Sequence, residues 1–166
     1  DCKGLLKTAI RDNNPVMYLW HKALYDLEEE VPTGEWTIPL GQAAVRREGQ
    51  DATVVAYSLM LHRALEAAER LHGEISVEVI DPRTLRPFDL DTVLASLRKT
   101  GRLLVVHESP TCCGVGAEIV RQVTERGFGL LKGAPKVLGG RDLPIPFAKP
   151  LENAVVPQVD DIVQAV

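Results

Sequence analysis

The 166-residue sequence has no excess of basic residues, few cysteines and no long apolar run. Its formal net charge is −4, which argues against nucleic acid as a main partner, because phosphate neutralisation needs clustered Lys and Arg. The longest apolar runs, 53–57 and 103–106, are far too short to span a bilayer, and no signal peptide is visible. We therefore expect neither a nucleic-acid partner nor a membrane-spanning segment.

The cysteines are Cys2, Cys112 and Cys113. An odd number that includes one adjacent pair fits neither a disulfide framework nor the spacing of a zinc site. Such usage is typical of a reducing compartment, the cytosol or the mitochondrial matrix. A helix N-terminus could lower the pKa of the adjacent thiols and make them reactive, but no base or cation is evident nearby, so an inert pair is favoured.

What is present is an ordinary globular composition, with 45% apolar and 25% charged residues, enough for a substantial core. Beyond residue 36 the pattern alternates between strands and helices, with Asp89 as a helix cap and Gly73 and Gly101 as helix ends. The predicted strands are 52–57, 75–80, 102–106 and 136–138, and the predicted helices are 59–72, 90–99, 115–126 and 157–166. This alternation predicts a three-layer α/β/α domain with a mainly parallel sheet.

The first 36 residues follow a different pattern. Residues 3–12 have the apolar spacing of a helix that Asn13, Asn14 and Pro15 end, and 15–20 predict a short buried strand. Residues 26–36 are acidic and carry Pro and Gly, which is typical of a solvated linker. Because the chain opens on Asp1 directly into a helical pattern and its final helix is short, we expect a fragment or a processed product.

The segment 114–119 (GVGAEI) resembles the start of a dinucleotide fingerprint. Ile119 stands where the third glycine belongs, and the loop 108–113 is too long for the tight turn that such a site requires. We favour a glycine-rich helix start that packs closely against a neighbour.

His107, Glu108 and Ser109 follow a predicted strand, at the kind of sheet end where open α/β folds bind ligands. A catalytic triad needs groups that converge from different segments, whereas sequence neighbours point in different directions. A hydrogen-bonded strand end is therefore favoured. His62, alone on a predicted helix, is given no role.

A cation site is conceivable at the end of the first helix. The last helical carbonyls lack intrahelical partners, and Asp12 and Asn14 add side-chain oxygens, so a hard monovalent cation could be surrounded there. The alternative is a plain helix end with an Asx turn, and the residues alone favour it.

Seven segments together, in this order and spacing, resemble the β subunits of thiamine-diphosphate-dependent 2-oxo acid dehydrogenase first components, of the pyruvate type. They are 1–7 (DCKGLLK), 9–16 (AIRDNNPV), 79–87 (VIDPRTLRP), 99–101 (KTG), 106–108 (VHE), 114–119 (GVGAEI) and 140–146 (GRDLPIP). The resemblance implies that 1–25 are the end of a pyrimidine-binding domain, 26–35 a linker and 36–166 a transketolase C-terminal-like domain.

The resemblance also implies what this chain does not hold. The glutamate that activates the cofactor lies upstream, and the diphosphate and its Mg²⁺ are held by the α subunit, so we assign no catalytic or cofactor-binding residue here and expect the isolated chain to be inactive. A structural potassium ion is implied at Ala9, Ile10, Asp12 and Asn14, with a further ligand from outside the chain.

The implied whole enzyme decarboxylates a 2-oxo acid and transfers the acyl group to lipoamide. The implied partners are an α subunit and a second β subunit in a heterotetramer, and the subunit-binding domain of the dihydrolipoyl acyltransferase core. The segments 114–119 and 140–146 would have packing roles in that assembly, in a bacterial cytoplasm or the mitochondrial matrix.

Three other interpretations stay open: a stand-alone, non-catalytic assembly module, a branched-chain 2-oxo acid dehydrogenase β subunit, and a nucleotide-binding regulatory domain built on the loop at Gly114. The sequence departs from the family pattern at Trp20, where an acidic residue is common, and at Cys112 and Cys113, where small or hydroxyl residues are usual.

Overall fold

The computed structural model describes residues 1–166 and contains one five-stranded sheet in the order β1-β3-β2-β4-β5. Strands β2 to β5 are parallel, and β1 pairs antiparallel with β3 at one edge. The strands are β1 Ala44–Arg47, β2 Ala52–Ala56, β3 Val77–Asp81, β4 Leu103–Pro110 and β5 Lys136–Gly140. The four predicted strands and the mainly parallel sheet are confirmed.

Helices cover both faces of the sheet, which confirms the three-layer arrangement. Alternate strand residues face opposite sides, so Val54 packs in one core cluster and Val55 in the other. The first cluster lies under α2 Leu59–Arg70 and α6 Val159–Ala165, and the second lies under α3 Leu90–Thr100 and α4 Val115–Gly127. None of the helices combines the length and the apolar composition that a membrane span requires.

Helix α3 begins and ends at the capping residues that the sequence predicts. The Asp89 carboxylate accepts the Thr92 N–H at 3.1 Å, and Gly101 follows α3 in the left-handed conformation, with φ of 70°. Strand β4 runs four residues beyond its predicted end, because its pairing with β5 continues to Pro110 and Gly140. This extension carries His107, Glu108 and Ser109 inside the strand.

One strand and one α-helix were not predicted from the sequence, nor were the 3-10 turns Lys22–Leu24 and Phe128–Leu130. Strand β1 (AVRR) lies at the sheet edge, where half of its residues are charged and no apolar run marks it. Helix α5, Lys149–Val155, is seven residues long, which is too short for a clear helical period.

The strand predicted at 15–20 is wrong. This segment forms no regular structure, and Met17 and Leu19 are 87% and 82% exposed. A strand needs a neighbour for its backbone hydrogen bonds, and no strand of this chain lies beside it. Helix α1, Cys2–Arg11, does form, and its Gly4 is buried against Trp36 and Ile38.

Candidate functional site

The parallel strands β2, β4 and β5 all end at one edge of the sheet, the carboxyl edge, which carries Tyr57, Glu108, Ser109 and Gly140. Open α/β sheets bind ligands at this edge, so any site in the α/β part is first sought there.

His107 is the buried group of the carboxyl edge and has no solvent exposure. Its Nδ1 lies 2.8 Å from the Ser109 carbonyl oxygen, which can only accept, so Nδ1 carries the proton. Nε2 is then an unprotonated nitrogen, and it is buried without a partner. Burial lowers the pKa of His107, although the bond to Ser109 opposes the shift. The imidazole is therefore neutral at pH 7.

Three glycines enclose this imidazole. A Cβ added at Gly116 would lie 2.6 Å from Nε2, and one at Gly114 or Gly139 would lie 2.8 Å or 3.0 Å from Cε1. Cβ atoms almost never approach this closely, so only glycine fits. The glycines that open α4 therefore make room for a side chain, as the favoured interpretation expects, and Gly116 faces the imidazole rather than open space.

The Glu108 side chain forms no hydrogen bond with His107 or Ser109 but pairs with His21. Its Oε2 lies 2.8 Å from His21 Nε2, and His21 Nδ1 accepts the Ala23 N–H at 3.2 Å. Ser109 Oγ lies 2.9 Å from His107 Nδ1, so serine and histidine meet, but no acid orients the histidine. The structure shows a hydrogen-bonded strand end rather than a triad, and Glu108 fastens the short 3-10 turn Lys22–Leu24 to β4.

Two further candidates from the sequence, His62 and the Cys112–Cys113 pair, form no hydrogen bond with His107 or Glu108. His62 is exposed on α2, with no contact that suggests a role. The Cys112 and Cys113 thiols are exposed, and the hydrogen bond and charge of Cys113, together with the charge of Asp142, raise the pKa of the Cys112 thiol. These causes act against an activated Cys112 thiolate, in line with the inert pair that the sequence favours.

The residues proposed for a cation lie together at the exposed end of α1. Asp12 Oδ1 accepts the Asn14 N–H at 2.8 Å and the Asn14 Nδ2 at 3.0 Å, which is the Asx turn that the residues favour. The Asn14 N–H is thereby withdrawn from Ile10, whose carbonyl loses its helical partner. The backbone hydrogen bond from Asn14 is the main cause that lowers the pKa of Asp12, so its carboxylate is charged near neutral pH.

These groups fit a potassium ion in ligand chemistry. The Ala9 and Ile10 carbonyls, the Asp12 carboxylate and the Asn14 amide supply oxygen atoms only, and a hard monovalent cation requires oxygen ligands. Elsewhere, no group of three or more His, Cys, Asp or Glu side chains is placed to hold a metal ion.

Helix α1 is fixed to the α/β part near both of its ends. At its start, the Asp1 carboxylate accepts from Arg83 Nε at 2.9 Å and Nη2 at 3.1 Å, and it pairs with Arg46. Further along, Thr8 Oγ1 donates to the Ile38 carbonyl at 2.7 Å. Sequence reasoning missed the Asp1–Arg83 pair, although each residue lies in one of the seven segments quoted above.

A buried charge was also missed. The Glu78 side chain is 2% exposed, and its Oε2 lies 2.5 Å from Lys99 Nζ and 3.2 Å from the Gly49 backbone nitrogen. A Cβ at Gly49 would lie 2.1 Å from the Glu78 nitrogen, so the β1–β2 loop approaches β3 backbone to backbone. The Glu78–Lys99 ion pair links β3 to the end of α3, and Glu78 also binds the β1–β2 loop at Gly49. We therefore assign the pair a structural role.

Comparison with known families and proteins gives three findings. The family "Transketolase, C-terminal domain" matches residues 41–162. The chain is 47% identical over 166 residues to the acetoin:2,6-dichlorophenolindophenol oxidoreductase subunit beta of Cupriavidus necator, covering 99% of this chain and 49% of that protein. It is also 47% identical over 170 residues to the mitochondrial pyruvate dehydrogenase E1 component subunit beta of Pisum sativum, covering 99% and 47%.

A bacterial pyruvate dehydrogenase E1 component subunit beta, from Rhizobium meliloti, is 43% identical over 168 residues, covering 100% of this chain and 36% of that protein. Among solved structures, a protein described as "Split gene transketolase, inactive beta4 tetramer" superposes with a TM-score of 0.67 at 29% identity, covering 82% of this chain and 44% of that one. The chain thus spans about half or less of the length of the relatives it matches.

Proposed function

The chain belongs to the transketolase C-terminal domain family, and on that premise we propose that it is the C-terminal half of the β subunit of a 2-oxo acid dehydrogenase first component, with pyruvate as the preferred substrate of the whole enzyme. The observation that carries this proposal is the extent of the matches. They cover 99% or 100% of the chain and so include the 40 residues that precede the family match. A module that evolved to stand alone has no need of that segment.

A second substrate has a specific observation behind it. The acetoin oxidoreductase subunit is as similar to this chain as the pea pyruvate dehydrogenase subunit, at 47% identity each. Overall sequence identity therefore does not decide between acetoin and pyruvate as the substrate of the whole enzyme. We keep pyruvate first because the segments 9–16 and 140–146 resemble the pyruvate type.

Within the whole enzyme, we propose that this chain serves assembly. Large apolar side chains are exposed in two segments, 16–20 and 143–151, and include Met17, Leu19, Ile145 and Phe147. Exposed apolar side chains in such density favour a protein interface. The partners that we propose for these segments are an α subunit, a second β subunit and the subunit-binding domain of the acyltransferase core.

The carboxyl edge supports a non-catalytic role for this half of the subunit. His107 is neutral and enclosed and Glu108 is paired with His21 at this edge, while Glu78, at the opposite end of the sheet, is paired with Lys99, so these groups do not converge on one space where a substrate could react. Thiamine diphosphate, when bound with Mg²⁺ elsewhere in the enzyme, supplies the carbanion and the electron sink for decarboxylation. Because relatives occur in bacteria and in mitochondria, we propose a bacterial cytoplasm or the mitochondrial matrix as the location.

Titration calorimetry tests whether the cofactor-binding and catalytic groups lie outside this chain. We expect the 166-residue chain to bind no thiamine diphosphate in the presence of Mg²⁺ and to decarboxylate no 2-oxo acid, because catalysis needs a positioned carboxylate and a diphosphate site that we place outside it. Adding the α subunit and the N-terminal half of β should restore cofactor binding and activity on pyruvate. Tight, stoichiometric binding by this chain alone would contradict the proposal, and turnover of acetoin but not pyruvate by the restored enzyme would favour the second substrate.

We also propose that the Ala9 and Ile10 carbonyls, Asp12 and Asn14 hold a potassium ion in the full-length β subunit. Replacing Na⁺ by K⁺ should raise the melting temperature of that subunit, since a ligand at 100 times its Kd stabilises by about 2.7 kcal/mol. Asp12→Ala should abolish the gain, whereas Asp26→Ala, an exposed change in the predicted linker, should preserve it. In the 166-residue chain we expect almost no difference between the ions. A K⁺ gain that survives Asp12→Ala would remove these residues from the site.

A further inference from the structure

Cys112 and Cys113 occupy the centre of the turn that joins β4 to α4. The Gly114 N–H donates to the Thr111 carbonyl at 3.4 Å and closes the turn around them. Cys113 has φ of 56°, in the left-handed region that residues other than glycine rarely adopt. Side chains of adjacent residues in an extended chain point to opposite sides, but here the two Sγ atoms lie 3.9 Å apart, and both residues are exposed.

This separation suits one bridging atom better than a direct bond between the sulfurs. Two sulfur ligands on one atom, with bonds of about 2.3 Å, lie roughly 3.8 Å apart on a tetrahedral centre and roughly 3.4 Å apart on a pyramidal one. A disulfide instead requires Cα atoms at least about 4.4 Å apart in ordinary geometry, whereas Cα atoms of adjacent residues are about 3.8 Å apart. The pair is therefore arranged to chelate with little movement and would close to a disulfide only with strain.

The surroundings restrict what can be chelated. No third His, Cys, Asp or Glu ligand completes a metal site here. Cys113 and Asp142 both raise the pKa of the Cys112 thiol, and a divalent cation binds only thiolates, so it would have to displace that proton. An acceptor that needs only two sulfurs and takes up the thiol protons itself fits better.

We propose that Cys112 and Cys113 form a vicinal dithiol site for trivalent thiophilic metalloids, with a monosubstituted arsenic(III) oxide as the simplest ligand. Both S–H bonds break and two As–S bonds form, while the arsenic oxygen leaves as water with the two protons. Arsenic stays trivalent, so no oxidant or reductant takes part. Soft thiolate ligands favour soft acceptors of this kind. This site is independent of the proposed assembly role.

Phenylarsine oxide is the probe. We expect intact-mass spectrometry to show one phenylarsenic adduct on the 166-residue chain, with loss of two of its three free thiols, stable to a monothiol wash and reversed by a dithiol. Cys112→Ser and Cys113→Ser should each lose the wash-resistant adduct, and Cys2→Ser should retain it. Cys113→Gly, which suits the positive φ and so keeps the turn, should also lose it.

Any of three results would overturn the assignment. One is a wild-type chain that yields no adduct resistant to the monothiol wash. Another is an adduct that persists in Cys112→Ser or in Cys113→Gly while circular dichroism shows the native fold. Loss of the adduct in Cys2→Ser alone would move the site to another part of the molecule and overturn it equally.

Discussion

Gly116→Ala is expected to lower the free energy of unfolding by about 1–3 kcal/mol, the usual cost of overpacking a core. The new Cβ would lie 2.6 Å from His107 Nε2 and 2.6 Å from Val137 Cγ1. The hydrogen bond from His107 Nδ1 to the Ser109 carbonyl fixes the imidazole, so moving it away would break that bond. Alanine has the better helix propensity by up to about 1 kcal/mol, which works in the opposite direction and makes the observed loss a lower bound on the steric cost. Urea unfolding of the wild type and the variant measures it.

The chain offers a matched control and a partner for a double-mutant cycle. Gly129→Ala places its Cβ in open space, and its φ is not positive, so the free energy of unfolding should change by less than about 0.5 kcal/mol. In a His107→Ala background, Gly116→Ala should cost less than in the wild type, because the imidazole that meets the new methyl group is gone. An unchanged cost in that background would show that His107 is not the residue that requires glycine.

The parts of the fold that could be predicted are those with local signals. Buried parallel strands appear as short apolar runs between turn residues, and α3 is marked by Asp89 and Gly101. The edge strand β1 has no such run, since its residues are partly or fully exposed. The segment 15–20 is apolar and so predicts a strand, but whether an apolar segment joins a sheet depends on a distant partner that its own residues do not specify.

The same limit applies to the candidate site. The Asx turn of Asp12 and Asn14 is a contact between near neighbours and could be predicted from the residue types. The enclosure of His107 brings together residues 107, 114, 116 and 139, and its closest contacts join β4 to β5 and to the start of α4. The sequence therefore indicated close packing at Gly114 and Gly116 without showing that the neighbour is a histidine.

Lys99→Met is expected to lower the free energy of unfolding at pH 7 by roughly 2–3 kcal/mol. Breaking a buried ion pair from one side costs about 3–5 kcal/mol, because the remaining charge is left uncompensated. The cost is smaller here because the Lys99 side chain is 37% exposed and Glu78 keeps the Gly49 N–H. Lys149→Met, which breaks an exposed pair with Glu152, is the control and should cost less than about 0.5 kcal/mol.

The pH dependence of this loss distinguishes the buried charge from simple loss of packing. Burial alone raises the pKa of Glu78, but hydrogen bonds from Lys99, Ser96 and Gly49 outweigh it and leave the pKa below its ordinary value of 4.5. A lowered folded-state pKa contributes stability above the unfolded-state pKa, and that contribution is lost as the pH falls through the folded-state pKa. In the wild type, therefore, the contribution of Glu78 to the free energy of unfolding is lost at acid pH.

In Lys99→Met the pKa of Glu78 is expected to rise relative to the wild type, because the largest lowering contribution is gone while burial still opposes the charged form. Acid then costs the variant less stability at Glu78 than it costs the wild type, so the difference in stability between variant and wild type should shrink as the pH falls from 7 towards 4. Adding Glu78→Gln to Lys99→Met should recover part of the loss at pH 7, since a neutral amide can still accept the Gly49 N–H without a buried charge. Urea unfolding across this pH range measures both effects, and a constant difference between variant and wild type would mean that Glu78 is not the group whose charge Lys99 compensates.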